Sequence, residues 1–295
     1  MNAKTLIRNL KVWQRSGSWE FMRSKAMAPD PSRLNVINWK GIPLHYRPGT
    51  SDCGVIYEIL MRPPHKREYY VPAWIRPATI FDIGGNIGIT AVYLSTLFPD
   101  AKVYTFEPVP QNFAILEKNV ATLENVRAFP FGLGAKSGQF EIYPSEDRGN
   151  LGGYSLHERK SEGANAGVDT KAHTVVEIRR GDDVIAREAI DRIDLIKVDT
   201  EGAEYEALTS IGDSMLSRVQ WIMGELHGRR DFELLAYLSR WFDIAVNKRM
   251  RSELFPFEAR NKSLRGIDPA ADRRWHGKRE HVAARRQAGS GGATG

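Results

Sequence analysis

The chain predicts an α/β domain with a Rossmann-like, doubly wound, mostly parallel seven-stranded sheet. Three observations lead there. From Ala78 onward, short apolar runs alternate with segments of helical spacing. The stretch Ile80-Phe81-Asp82-Ile83-Gly84-Gly85-Asn86-Ile87-Gly88 reads as a buried strand opening into a glycine-rich turn. Asp82, Glu107, Asp199 and Glu225 each fall at the carboxyl end of an expected strand. Ligands of such sheets bind beyond those ends, and four acids there are hard to explain as packing.

The elements follow in order. Leu6, Leu10 and Trp13 have helical spacing, so 4–27 is expected to hold one or two short helices. Residues 34–48 predict a β-hairpin turning at Lys40-Gly41. Cys53–Met61 reads as a helix stopped by Pro63-Pro64, and Tyr69–Trp74 as an extended approach. Together these make residues 1–75 an N-terminal extension of helix plus short hairpin. The core domain, 76–260, begins with a strand at 79–83, a helix at 88–98 and a strand at 102–107. A helix at 111–123 and a strand at 126–131 follow. Gly134–Tyr143 and Val175–Ile178 read as extra strands, with a long polar loop over 145–171 between them. Gly181–Ile190 predicts a short helix, 193–199 a strand, 203–212 a helix and 219–225 a strand. Asp231 is placed to N-cap a helix, and 242–246 with 253–257 to close the sheet as an antiparallel pair. The tail, 266–295, is charged and then Gly/Ala/Ser-rich, and reads as disordered.

Composition bounds the function. No apolar stretch approaches the ~20 residues that cross a bilayer, and the N-terminus has basic residues without the apolar core of a secretion signal. The single cysteine, Cys53, excludes an internal disulfide and reads as a small buried side chain. A cytoplasmic location is the expectation. The net charge of +6 is carried by the ends: residues 1–25 hold +5 and 266–295 hold +3, leaving −2 between them. No basic motif interleaved with aromatics points to specific nucleic-acid binding.

The turn after the first core strand chooses among nucleotides. A dinucleotide site uses G-x-G-x-x-G facing a pyrophosphate. Here Asn86 replaces the second motif glycine, and the Asp82 carboxylate at the turn would repel a pyrophosphate. The same carboxylate suits a ligand with an ammonium and no phosphate, and Glu107 can accept both hydroxyls of a ribose. S-adenosyl-L-methionine has that chemistry.

The segments Asp82–Gly88, Phe106-Glu107-Pro108 and Ile196-Lys197-Val198-Asp199-Thr200-Glu201-Gly202-Ala203-Glu204-Tyr205-Glu206 resemble the FkbM family of S-adenosylmethionine-dependent methyltransferases. The resemblance spans 76–228, and its most specific part is the Asp-x-Glu-Gly-Ala-Glu block. It implies the class I methyltransferase fold and methylation of a hydroxyl on a sugar, glycan or secondary metabolite. It also implies that Gly84, Gly85, Asn86 and Gly88 meet the methionyl end and that Glu107, with Pro108, holds the ribose. Residues 1–75 and 230–295 lie outside it, so neither acceptor nor oligomeric state follows.

The remaining site residues are read from position. Asp82 is expected to face the methionyl ammonium, and Gly132, in Gly132-Leu133-Gly134, to lie on the adenine side. Asp199 is expected nearest the transferred methyl, orienting or deprotonating the acceptor hydroxyl. Glu225 and His227 share one side of an extended chain, and His227 is a candidate general base. Glu201 shares the site or starts the next helix, and Glu204 reads as serving the helix dipole. Asn150 and Ser155, in the long loop, are expected to contact cofactor or acceptor as it closes. Asp199, Glu225 and His227 are able to bind a divalent cation, but no spacing demands one, so no metal is predicted. Amino-group and nucleic-acid methylation is disfavoured because the DPPY-type tetrapeptide is absent, strand four ending in Asp199-Thr200-Glu201-Gly202. A cofactor-binding scaffold without turnover is the remaining alternative.

Overall fold

The computed structural model describes residues 3–63, 67–144, 150–155, 173–247 and 255–266. The tail expected to be disordered and most of the 145–171 loop lie outside these residues. Two helices come first, α1 (Ala3–Ser16) and α2 (Trp19–Ser24). Ser18 caps α2 by accepting from the Phe21 amide, and Trp13 stacks on Trp19 at 4.7 Å. The expected hairpin forms from β1 (Asn35–Trp39) and β2 (Ile42–Tyr46). The helix expected at Cys53–Met61 is split: α3 (Ser51–Ile56), capped by Thr50, widens into a π-helical turn at Tyr57–Met61.

The core domain continues with β3 (Thr79–Ile83), α4 (Ile89–Leu97), β4 (Lys102–Phe106), α5 (Pro110–Val120) and β5 (Val126–Phe129). Then come β6 (Gly132–Leu133), β7 (Gly138–Pro144), β8 (Tyr154–Ser155) and β9 (Thr174–Arg179). Next are α6 (Gly181–Arg187), β10 (Leu195–Val198), α7 (Glu204–Thr209), α8 (Asp213–Leu216) and β11 (Trp221–Leu226). The described chain ends with α9 (Asp231–Leu238), β12 (Phe242–Val246), β13 (Phe255–Asn261) and a 3-10 turn. Asp231 is not the N-cap of α9: Arg230 holds that place, and the Asp231 carboxylate accepts from the Gly228 amide instead.

The central sheet has seven strands in the order β12-β13-β11-β10-β3-β4-β5. The five from β11 to β5 are parallel, and β13 runs antiparallel between β11 and β12. Numbered along the chain, the core strands stand 3-2-1-4-5-7-6. The order reverses between β3 and β10, which places a ligand crevice beyond their carboxyl ends. The two extra strands, β7 and β9, do not join this sheet; they pair with each other in a separate four-stranded one.

Alternate side chains explain why both faces are covered. Ile80, Val103, Leu195 and Trp221 pack on α4, α5 and the extension. Phe81, Phe106, Ile196 and Ile222 pack on the opposite face with Leu208, Leu216 and Leu234. No helix among the described residues is long and apolar enough to cross a membrane.

Polar side chains fasten the extension to α5. The Arg47 guanidinium donates twice to Asp52 at 2.7 and 2.8 Å and once to Asn112 at 2.9 Å, all buried. Asn119 accepts from the His45 amide and donates to the carbonyls of His45 and Ile87. Removing one partner of a buried pair strands the other charge. Asp52→Ala is therefore expected to lower the unfolding free energy by about 3–5 kcal/mol in a urea titration. Glu20→Ala, which breaks an exposed contact with Arg33, should cost under ~1 kcal/mol.

Candidate active site

The turn after β3 is built by close packing. Gly84 and Gly85 both donate their amides to the Phe106 carbonyl, pulling the turn over the end of β4. Gly84 sits at φ +79°, where a Cβ would lie 1.9 Å from the Asp199 carbonyl oxygen. Gly88, at φ +83°, lets the chain enter α4 against Leu116. Glu107, just beyond β4, locks this arrangement: one carboxylate oxygen accepts from the Asn86 amide at 2.8 Å, the other from the Val109 amide at 2.9 Å. Burial pushes the Glu107 carboxyl up to about 7, against those two hydrogen bonds.

A cavity of about 1100 Å³, counted with its open mouth, lies beyond these strand ends. Of the residues read from sequence, Gly84, Asn86, Glu107, Pro108, Asn150, Asp199, Glu201 and Glu225 line it. Gly85, Gly88 and Gly132 support the lining without joining it; Gly132 stands behind Pro108 and against Ile178. Ser155 lies in β8, and its side chain is outside the described residues.

Two expected roles are corrected by position. Asp82 is 0% exposed and absent from the lining. It lies below the floor, accepting from Thr105 at 2.9 Å and facing the Lys197 ammonium at 3.3 Å. It therefore neutralises a buried lysine rather than a ligand. His227 is also absent from the lining, with a side chain 1% exposed. Its Nδ1 is 2.9 Å from Glu204, and its Nε2 is 3.7 Å from Asp199 and 3.6 Å from Glu201. Burial opposes protonation, but the Glu204 hydrogen bond and the surrounding carboxylates raise His227 to about 10. An imidazolium at neutral pH is no general base.

Glu204 does more than face a helix dipole. One of its oxygens accepts from the Thr200 amide, the Thr200 hydroxyl, the Gly202 amide and His227. It thereby folds the 199–204 loop around itself. Several lining side chains escaped the sequence reading. Lys197 is one; a lysine inside a buried parallel strand was a legible signal. Tyr69, which donates to Asp199 at 2.7 Å, and the wall from Ser51, Val55 and Ile59 belong to the extension and carried none. Burial would raise the Asp199 carboxyl, but the Lys197 ammonium, His227 and the Tyr69 hydroxyl together hold it below the usual carboxylate range.

A seven-stranded sheet of order 3-2-1-4-5-7-6, with a glycine turn after its first strand and a buried acid after its second, defines a class I methyltransferase architecture. The profile of the Methyltransferase FkbM domain matches residues 82–261. The chain belongs to the FkbM methyltransferase family. It is 29% identical over 168 residues to "Methyltransferase sdnD" of Sordaria araneosa, covering 50% of this chain and 65% of that one. It is 28% identical over 159 residues to "2-O-methyltransferase NoeI" of Sinorhizobium fredii, covering 52% and 65%. It is 28% identical over 177 residues to "31-O-demethyl-FK506 methyltransferase FkbM" of Streptomyces tacrolimicus, covering 52% and 67%. The matches with sdnD and NoeI thus span just under two thirds of those relatives.

Clash and strain can be separated at two glycines. Gly41, at φ +89° with nothing near its missing Cβ, should cost about 1–2 kcal/mol on Gly41→Ala, from the left-handed backbone alone. Gly84→Ala adds a collision with backbone, and thermal unfolding is expected to show a markedly larger loss than for Gly41→Ala.

Proposed function

We propose that the chain transfers a methyl group from S-adenosylmethionine to a hydroxyl of a sugar, glycan or secondary metabolite. The charge of the cavity carries this reading. Glu68, Glu107, Asp199, Glu201 and Glu225 line it against one ammonium, that of Lys197, among the described residues. Such a wall favours a sulfonium cation and disfavours a pyrophosphate. The donor set fits the cofactor: Glu107 would take the ribose hydroxyls, Pro108, Leu133 and Ile178 would offer apolar surface to the adenine, and Gly84 and Asn86 would border the methionyl end. The names of NoeI and of FkbM specify oxygen methylation by those relatives, which supports a hydroxyl acceptor here.

The cofactor supplies an already activated methyl group on sulfur. The acceptor oxygen forms the new bond to that carbon, the carbon–sulfur bond breaks with its electron pair going to sulfur, and S-adenosylhomocysteine leaves. The chain's task is alignment and exclusion of water. Asp199, ionised and fixed by Tyr69, is placed to accept the hydroxyl hydrogen bond and take its proton.

Calorimetry with S-adenosylhomocysteine tests this directly, and absence of binding would sink the proposal. Asp199→Asn is expected to leave that binding within about threefold while lowering turnover at least ~100-fold. The ribose hydroxyls donate to the ionised form of Glu107, so a ligand there favours loss of its proton. Affinity should therefore rise with pH, by up to about tenfold per unit below the Glu107 value of about 7, and level off above it. Glu107→Gln should bind weakly with that slope removed.

A further inference from the structure

The loops after β10 and β11 bring together three ligand-type side chains that sequence spacing does not announce. One atom each from Asp199, Glu201 and His227 lies within 4.8 Å of the other two. His227 Nε2 is 3.7 Å from Asp199 Oδ1 and 3.6 Å from Glu201 Oε2. Both gaps are too long for hydrogen bonds. They approach the spacing of ligands sharing an ion, since bonds of about 2.1 Å put adjacent ligands roughly 3–3.5 Å apart.

The orientation of His227 is a separate observation. Its side chain is 1% exposed, and the ring is held through Nδ1 by Glu204 at 2.9 Å. Glu204 is itself fixed by the amides of Thr200 and Gly202. The far nitrogen, Nε2, is thus aimed between the two carboxylates. A carboxylate on one imidazole nitrogen is the usual device for setting the tautomer and direction of a metal-binding histidine. Asp199 is oriented in the same manner, with the Tyr69 hydroxyl on Oδ2 and Oδ1 left facing Nε2.

We propose that Asp199, Glu201 and His227 bind a divalent cation, which displaces the Nε2 proton of His227 to water and keeps its open coordination positions facing the cavity. Two carboxylates and one imidazole suit an ion of the Mn²⁺ type better than Ca²⁺, which gathers six to eight oxygens. Asp199 and Glu201 line the cavity while His227 stands behind them, so the ion has protein on one side and acceptor space on the other. An acceptor hydroxyl oxygen takes an open position, where the cation lowers its pKa and fixes its direction, and its proton departs to water. In that state Asp199 serves as ligand, and the cation, not the carboxylate, activates the hydroxyl. This role rests on the transferase reading above; the cation site does not.

The full chain, stripped with EDTA and titrated with Mn²⁺ under electron paramagnetic resonance, tests the site. One Mn²⁺ per chain is expected. His227→Ala should abolish the uptake. Glu201→Gln, a half-buried and nearly isosteric change, should weaken it at least ~10-fold without unfolding the chain. No stoichiometric uptake by the unaltered protein, or equal affinity in both variants, overturns the proposal. S-adenosylhomocysteine calorimetry in EDTA keeps the two readings apart. If the nucleoside binds but Mn²⁺ does not, the cation site falls alone. If Mn²⁺ binds but the nucleoside does not, the site stands and the transferase reading falls.

Discussion

Lys197 occupies the middle of β10, in a strand whose other side chains are apolar, and is 2% exposed. Its ammonium faces Asp82 at 3.3 Å and donates to the carbonyls of Ile83 and Gly84. A buried charge without a partner is costly, so the two side chains must be kept together. Keeping them together ties the end of β3 to β10 at the one place where the strand order reverses. The glycine turn is then held from both sides, by Lys197 on its carbonyls and by Phe106 on its amides. The same ammonium helps to keep Asp199, on the cavity wall, ionised. Floor, turn and acid thus share one support.

Around that support the site is assembled from distant parts of the chain. Glu107 joins β4 to the turn, Glu204 folds its own loop under Asp199, and His227 arrives from the neighbouring parallel strand. Tyr69, Ser51, Val55 and Ile59 close one side from the extension. That wall holds its place because Arg47, Asp52 and Asn112, and separately Asn119, bind the extension to α5.

The charge argument for a phosphate-free nucleoside now rests on residues other than Asp82. Asp82 suggested it from the turn, yet its carboxylate is spent on Lys197. The acids that face the cavity are Glu68, Glu107, Asp199, Glu201 and Glu225, three of them at or just past strand ends. Position at a strand tip placed Glu107, Asp199 and Glu225 beside the cavity and Asp82 beneath it. It could not say which of them faced the cavity and which pointed down into the sheet, because that depends on what neighbouring strands supply beneath.

By itself the sequence determined the order and kind of elements. Short apolar runs and helical spacing, with glycine and proline at the joints, carried the seven core strands, the hairpin and the glycine turn, since those are local properties of the chain. It also determined the family-specific block from Ile196 to Glu206. Tertiary structure alone decided what each acid does. Whether Asp82 meets a ligand or a lysine, whether Glu204 serves a dipole or an imidazole, and which acid stands beside His227 depend on contacts across 20 to more than 100 residues of sequence. No local period records such pairings, because burial and charge compensation are settled only when the strands lie side by side.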